Sequence, residues 1–167
     1  MQWKLPFFAR FVFFISVLGL LSACGFHLRG VQDVDSALRQ VTLIDKTGAS
    51  QLVNSLKSNM AFNGIEEMAN APYQIRIISH EYSRKSATVS NSDIDEYELN
   101  LEVTMLIADG KGQPLTSDIR IQRERLYDYD KDTATASGTQ ERQIRKELYD
   151  AVAQSMLRRY LSFKTSK

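Results

Sequence analysis

The sequence predicts an α+β fold. It is a two-layer sandwich in which about four strands form a mostly antiparallel (mixed) sheet and two helices cover one face, in the order β-α-β-β-β-α. Two patterns carry this expectation. Tyr97, Leu99, Leu101, Val103, Met105 and Ile107 alternate with Glu96, Glu98, Asn100, Glu102 and Thr104. A strict period of two puts one strand face on a core and the other in water. Leu52, Leu56 and Met60 recur every four residues, as do Ile144, Leu148, Val152 and Met156. Such stripes mark amphipathic helices.

Residues 31–39 read as a polar connector and 40–45 as the first strand, with Val41 and Leu43 on one face and Ile44 on the other. Asp45-Lys46-Thr47-Gly48 has turn chemistry, and Ser50 or Thr47 is the expected cap of the first helix. Asn63-Gly64 closes that helix, glycine being the favoured residue just past a helix end. A second strand starts at Tyr73 and extends toward Val89, and Asn91-Ser92-Asp93 turns the chain into the alternating third strand. After the hairpin-type loop 109–114 a fourth strand spans about 115–129. Its apolar residues Ile119, Ile121 and Leu126 change phase, which predicts a bulge after Ile121. Ser137 with Gln140 has capping-box spacing at the start of the last helix. Arg158, Arg159 and Lys164 lie toward its C-terminal end, where the helix dipole favours cations. A parallel crossover through the first helix joins the first two strands.

The N-terminal stretch decides where the domain works. Lys4 and Arg10 precede the apolar run 11–21, the plan of a bacterial secretory signal whose apolar part is too short to span a bilayer comfortably. The run ends in Leu21-Ser22-Ala23-Cys24, and Cys24 is the only cysteine. This resembles the lipobox of bacterial lipoproteins, which implies cleavage before Cys24 and lipidation of Cys24 through an S-diacylglycerol and an N-acyl group. An uncleaved anchor helix starting near Phe7, or a buried cysteine in an N-terminal helix, are the rival readings. They are set aside because the charged start, apolar run, small residues and lone cysteine occur together. Each buried methylene contributes about 0.8 kcal/mol, so several acyl chains hold a protein on a membrane without a spanning helix. Gly25 follows the cysteine; an Asp there is the usual inner-membrane retention signal of such lipoproteins, so the outer membrane is expected. The expected organisation is a removed signal peptide (1–23), a lipidated N-terminus and connector (24–39), the sandwich (40–163) and a short tail (164–167).

Composition narrows the function. The whole chain carries 21 basic and 20 acidic residues. Losing Lys4 and Arg10 with the signal leaves a nearly neutral domain, unlike the strongly basic balance of a nucleic-acid binder. With Cys24 acylated there is no thiol for a disulfide, a metal or catalysis, so core packing must stabilise the domain. His27 and His80 are the only histidines, too few for a structural zinc site without cysteines. His80-Glu81-Tyr82-Ser83 groups the residue types of a nucleophilic site, but alternate strand residues face opposite ways, and His80 reads as a satisfied surface or edge residue. Residues 127–132 look faintly like a calcium loop, yet lack its central Gly and terminal Glu. Tyr127 and Tyr129 share a strand face that could meet a partner. No nucleophile elbow, zinc-protease motif or paired-carboxylate cleft is present, so no enzyme is expected.

The residues resemble one known family, the LptE lipopolysaccharide-assembly lipoproteins. Cys24-Gly25-Phe26-His27-Leu28-Arg29 is similar to that family's motif after the cysteine. Asn63-Gly64-Ile65-Glu66, Asp95-Glu96-Tyr97 and Lys146-Glu147-Leu148-Tyr149-Asp150 continue the likeness at compatible spacing. The resemblance implies a plug and assembly partner for the outer-membrane β-barrel LptD, binding lipopolysaccharide on its way to the outer leaflet, with no covalent chemistry and no cofactor. The alternative is a lipid-anchored periplasmic binding module for another envelope protein.

Lipopolysaccharide presents phosphates, so candidate contacts are cations: Arg84 and Lys85 on the second strand, and Arg123 and Arg125 on the fourth. The competing reading is solvated strand faces with cross-strand ion pairs. Neither the turn 90–93 nor the loop 133–138 carries a basic residue.

Overall fold

The computed structural model describes residues 35–90, 93–130 and 134–163; Cys24, the signal sequence and His27 lie outside them. In chain order the elements are β1 (Gln40–Asp45), α1 (Ser50–Phe62), β2 (Glu66–Glu67), β3 (Tyr73–Ser90), β4 (Asp93–Asp109), β5 (Ile119–Asp128) and α2 (Ala134–Leu161). A 3-10 turn, Ser36–Leu38, precedes β1 within the expected connector and buries Leu38. The α+β architecture is the one expected, with one correction. The sheet has five strands, in the order β2-β1-β3-β4-β5. The addition, β2, is two residues long and pairs parallel with β1 through Gln40↔Glu66 and Val41↔Glu67. Two acidic residues give no alternation to detect, so such a strand is invisible to periodicity.

β1 runs parallel to β3, as a crossover through α1 requires, while β3, β4 and β5 form an antiparallel meander. α1 and α2 pack on each other and on one face of the sheet. Val41, Leu52, Leu56, Met60, Ile75, Met105, Ile107, Val152, Met156 and Tyr160 are fully or almost fully buried between the layers. The period-two reading of β4 holds throughout: Leu99, Leu101, Val103, Met105 and Ile107 are all inaccessible. Tyr160 closes this end from below. Its hydroxyl donates to the Leu38 and Gln40 carbonyls at 3.1 and 3.4 Å, and burial raises its pKa well above the usual tyrosine value.

The turn into α1 depends on neither Ser50 nor Thr47 as a helix cap. Ala49 occupies the cap position without a side-chain bond. Asp45 organises the segment instead, accepting from the Thr47 amide (2.8 Å), the Thr47 hydroxyl (2.7 Å) and the Ala49 amide (2.9 Å). Partial burial opposes its charge, but the bonds from Thr47 and Ala49 outweigh it and hold the carboxyl below the usual carboxylate range. At the other end Gly64 takes φ +67°. Its amide donates to Ala61 and that of Ile65 to Met60, the double bond that ends a helix at a left-handed glycine.

Two corrections concern phase. β4 and β5 pair without interruption from Glu96↔Asp128 to Met105↔Ile119, so no bulge follows Ile121. Arg123 and Arg125 occupy helix-side positions opposite Leu101 and Leu99, and Leu126 points away from the helices, 58 % exposed. On an edge strand a long arginine can take an inward position and still reach solvent. The bulge is in β3. Its pairing with β4 shifts by one residue at Ile78, which is left exposed. Before it Ile75 and Ile77 face the helices; after it His80, Tyr82 and Arg84 do. The loop 110–118 folds back on the sheet, with Arg76 and Gln74 donating to the Gly112 and Gly110 carbonyls and a bridge between Ala108 and Pro114.

The last helix starts at Ala134, ahead of Ser137. Ser137 is therefore not the cap. It is buried in the first turn, where its hydroxyl lies 3.3 Å from the Asp130 carbonyl. This ties the end of β5 to the helix.

Candidate functional site

The bulge at Ile78 converts the distal half of the sandwich into a different kind of interior. Beyond it the space under the first half of α2 is flanked by tyrosine, arginine, histidine and glutamate. Arg84 sits over the Tyr97 ring, its guanidinium carbon 3.6 Å from the centroid. It also makes an ion pair with Glu141 of α2 at 3.3 Å. The same Glu141 oxygen accepts from the Tyr127 hydroxyl at 2.7 Å. Tyr97 stacks on Tyr127 at 5.8 Å and meets Tyr129 edge-on at 5.1 Å. Burial, reinforced by the bond to Glu141, pushes the Tyr127 hydroxyl far above its ordinary pKa. Tyr127 is therefore an interior residue and not the exposed partner contact expected from the strand pattern.

One step toward the domain centre lies a second group. His80 Nε2 and the Tyr149 hydroxyl are 2.9 Å apart, so this histidine is satisfied from α2 rather than at an edge. Tyr82 stacks near Tyr149, with ring centroids 6.4 Å apart, and the Arg145 guanidinium lies 5.9 Å from the Tyr82 ring. The Tyr82 and Tyr149 hydroxyls both have raised pKa values, chiefly through burial. The Tyr82 hydroxyl and Arg145 Nε are buried without a hydrogen-bond partner, so this polar layer is less completely satisfied than the aliphatic end.

The four candidate cations fall into different environments. Arg84 is committed to Glu141 and Tyr97 on the helix side of the sheet, with its side chain still partly exposed. Lys85 faces the opposite side of the sheet across from Glu98 and is exposed. Arg123 and Arg125 project from the helix side of β5 and are exposed. Arg123 donates to Ser155 Oγ of α2 at 3.0 Å and to the Gln122 carbonyl at 2.9 Å. Neither Arg123 nor Arg125 has a carboxylate partner among the described residues. The structure thus brings Arg123 and Arg125 onto one edge, sets Arg84 in the same row as Arg125 across Leu99 but paired with Glu141, and leaves Lys85 on the opposite face.

The outer face of the sheet is polar and mixed in charge. Glu98, Asn100, Glu102 and Thr104 alternate along β4, with Gln122 and Glu124 beside them on β5, and Arg120 pairs with Glu102 at 3.3 Å. Among the described residues no group of three or more His, Cys, Asp or Glu could hold a metal ion. No helix among them is long and apolar enough to cross a membrane.

Residues that periodicity did not single out as a site, Glu141, Tyr149, Arg145, Ser155 and Arg158, all come from α2. Glu141 and Arg145 are four apart and share a helix face. This spacing is in the sequence, but its meaning depends on the β3 bulge, which has no sequence signature.

The fold belongs to a recognisable group. Residues 38–160 match the family model described as LptE: Lipopolysaccharide-assembly. The chain belongs to the LptE family. No curated protein matches it. Among solved structures, a minor lipoprotein from Acinetobacter baumannii is 25 % identical, with a TM-score of 0.64 over 75 % of this chain and 92 % of that one. A lipoprotein B from Nitrosomonas europaea shares the fold at 20 % identity and TM-score 0.68, covering 83 % and 92 % of the two chains. The rare lipoprotein B of Shewanella oneidensis does so at 22 % identity and TM-score 0.60, covering 71 % and 91 %. The α+β sandwich of this chain is therefore shared with these lipoproteins.

Proposed function

We propose that the protein is an outer-membrane lipoprotein, anchored on the periplasmic side through acylated Cys24, that plugs and helps assemble the LptD barrel and binds lipopolysaccharide during export to the outer leaflet. The observation that carries this reading is the family match across 38–160. The Leu-Ser-Ala-Cys lipobox supplies the anchor, and the relative from Acinetobacter baumannii is itself described as a minor lipoprotein. Residues 1–23 would be removed in maturation, leaving 24–39 as a tether to the sandwich.

The surface supports the barrel assignment physically. A barrel lumen is polar and water-filled, and a plug must match it without a large apolar patch or a large net charge. The outer face of β4 and β5, with its alternating acids, amides and the Arg120–Glu102 pair, meets that requirement. The role is non-catalytic: the chain contributes shape, polar contact and cations for lipid phosphates, of which Arg84, Lys85, Arg123 and Arg125 are the candidates. Arg123 and Arg125 are the strongest of these because, unlike Arg84, they have no carboxylate partner among the described residues, and, unlike Lys85, they offer guanidinium forks.

The test is affinity purification of a C-terminally tagged protein from detergent-solubilised outer membranes. A stoichiometric large companion whose gel mobility changes on boiling is expected. A soluble periplasmic companion, or none, would refute the barrel role. Replacing the anchor (Cys24→Ala) should leave an uncut, unlipidated chain. Normal processing of that variant would refute the lipobox.

A further inference from the structure

We propose that Arg123 and Arg158, drawn together on the Ser155 hydroxyl beside the β5 edge, form a binding site for a phosphate group. Arg123 Nη2 and Arg158 Nη2 donate to the same Ser155 oxygen at 3.0 and 2.8 Å. That oxygen in turn donates to the Ala151 carbonyl at 2.9 Å and is 7 % exposed as part of its residue. Two guanidinium groups from different elements therefore converge on one neutral acceptor. Like charges at such separation repel, and within proteins convergent guanidiniums are ordinarily relieved by a carboxylate. Here neither arginine has one among the described residues.

The arrangement is preorganised for an anion. Arg123 is held at both terminal nitrogens, by Ser155 and by the Gln122 carbonyl, so little side-chain freedom remains to be lost on binding. Each guanidinium has five N–H donors in a fixed fork; Arg123 commits two of its nitrogens and Arg158 one. The rest open to solvent, since both arginines are exposed. Arg125 follows two residues along on the same strand side and adds a third cation with no carboxylate partner among the described residues. Tetrahedral phosphate, with several charged acceptor oxygens, matches two convergent forks better than a planar carboxylate or a halide does. The proposal deepens the lipopolysaccharide-binding reading by giving Arg123 a partner in Arg158, and titration with inorganic phosphate tests the site apart from that reading. Its ligand is the phosphate group, whether free or on a lipid headgroup.

The full chain in detergent would be titrated calorimetrically with inorganic phosphate and pyrophosphate, with chloride holding ionic strength constant. Saturable binding is expected. R123Q and R158Q should each weaken it roughly tenfold, in line with the loss of a charge-assisted pair of bonds. R158K keeps the charge but loses the fork, and S155A keeps every charge but removes the shared acceptor; each should weaken binding by roughly threefold. R159Q, which removes the same charge one position along α2, should leave affinity within about twofold, and it controls for net charge. Thermal melts of each variant check that it folds, and S155A carries the test if an arginine variant does not. A second arm compares retention of micelles of a phosphorylated and a dephosphorylated glucosamine-based lipid. Loss of the phosphorylated lipid by R158Q assigns the phosphate to a headgroup, whereas losses confined to the inorganic ions assign it to a free anion. Absence of saturable binding in the wild type, or equal weakening by R159Q and R158Q, would overturn the proposal.

Discussion

The two ends of the sandwich are built from the same sheet and the same helix but hold together differently. At the end capped by α1, aliphatic side chains fill the space, and Val41, Leu52, Leu56, Met60, Ile75 and Met156 are dry. At the hairpin end, where α2 alone covers the sheet, tyrosine rings and the Arg84–Glu141–Tyr127 network flank the Leu99–Leu101 line of β4. Close packing of apolar groups is non-directional and tolerates small changes of shape. The polar layer depends on particular partners, and each loss leaves a buried group unsatisfied. Stability is thus concentrated at one end. Charge that can reach a ligand collects at the β5 edge beside the other.

The contrast predicts a gradient of mutational effects. Met156→Ala, at the aliphatic end, should cost about 2–5 kcal/mol in denaturant unfolding, the range for truncating a buried large side chain. Glu141→Ala should cost about 1–3 kcal/mol, because it removes the acceptor of both Arg84 and Tyr127. A double-mutant cycle with Arg84→Gln should show coupling of about 0.5–1 kcal/mol, moderated because both groups are partly exposed. A cost for Glu141→Ala equal to that of Met156→Ala would erase the distinction between the two ends.

Two pH effects follow with opposite signs. Tyr82, Tyr127, Tyr149 and Tyr160 all have hydroxyl pKa values raised by burial. Their contribution is complete below about pH 10, the unfolded tyrosine value. It is lost as pH rises beyond that, because the unfolded chain then releases protons the folded chain keeps. An ultraviolet titration should therefore show these four ionising late, together with unfolding. Asp45 is the reverse case, with a depressed carboxyl. Its contribution is present above about pH 4 and is lost as pH falls through the folded value. Asp45→Asn should flatten the acid limb of a stability–pH profile while leaving the alkaline limb unchanged.

Legibility in the sequence followed the same division. The β4 alternation and the α1 stripe announced the aliphatic end because apolar residues at a fixed period are what a dry interface requires. Asn63-Gly64 announced its helix stop for an equally local reason. The polar end is not legible in the periodicity because its inward positions are not apolar. Arg123, Arg125 and Arg84 break the period, and the break on β5 looked like a bulge at Ile121. The actual bulge, at Ile78, lies in the run Ile75-Arg76-Ile77-Ile78-Ser79, where one further apolar residue hides the slip. Among the candidate cations, residue type was readable in the sequence and environment was not. Only the partners on α2 separate Arg84, locked against Glu141, from Arg123 and Arg125 at the open edge.

The most direct measurement is a side-by-side comparison of Arg84→Gln with the Arg123→Gln/Arg125→Gln double variant, reading melting temperature and lipopolysaccharide retained by the purified lipoprotein. A lowered melting temperature with lipopolysaccharide still retained is expected for Arg84→Gln, and the opposite pattern for the β5 double variant. Loss of lipopolysaccharide in Arg84→Gln at unchanged stability, with the double variant indistinguishable from the parent, would contradict this expectation.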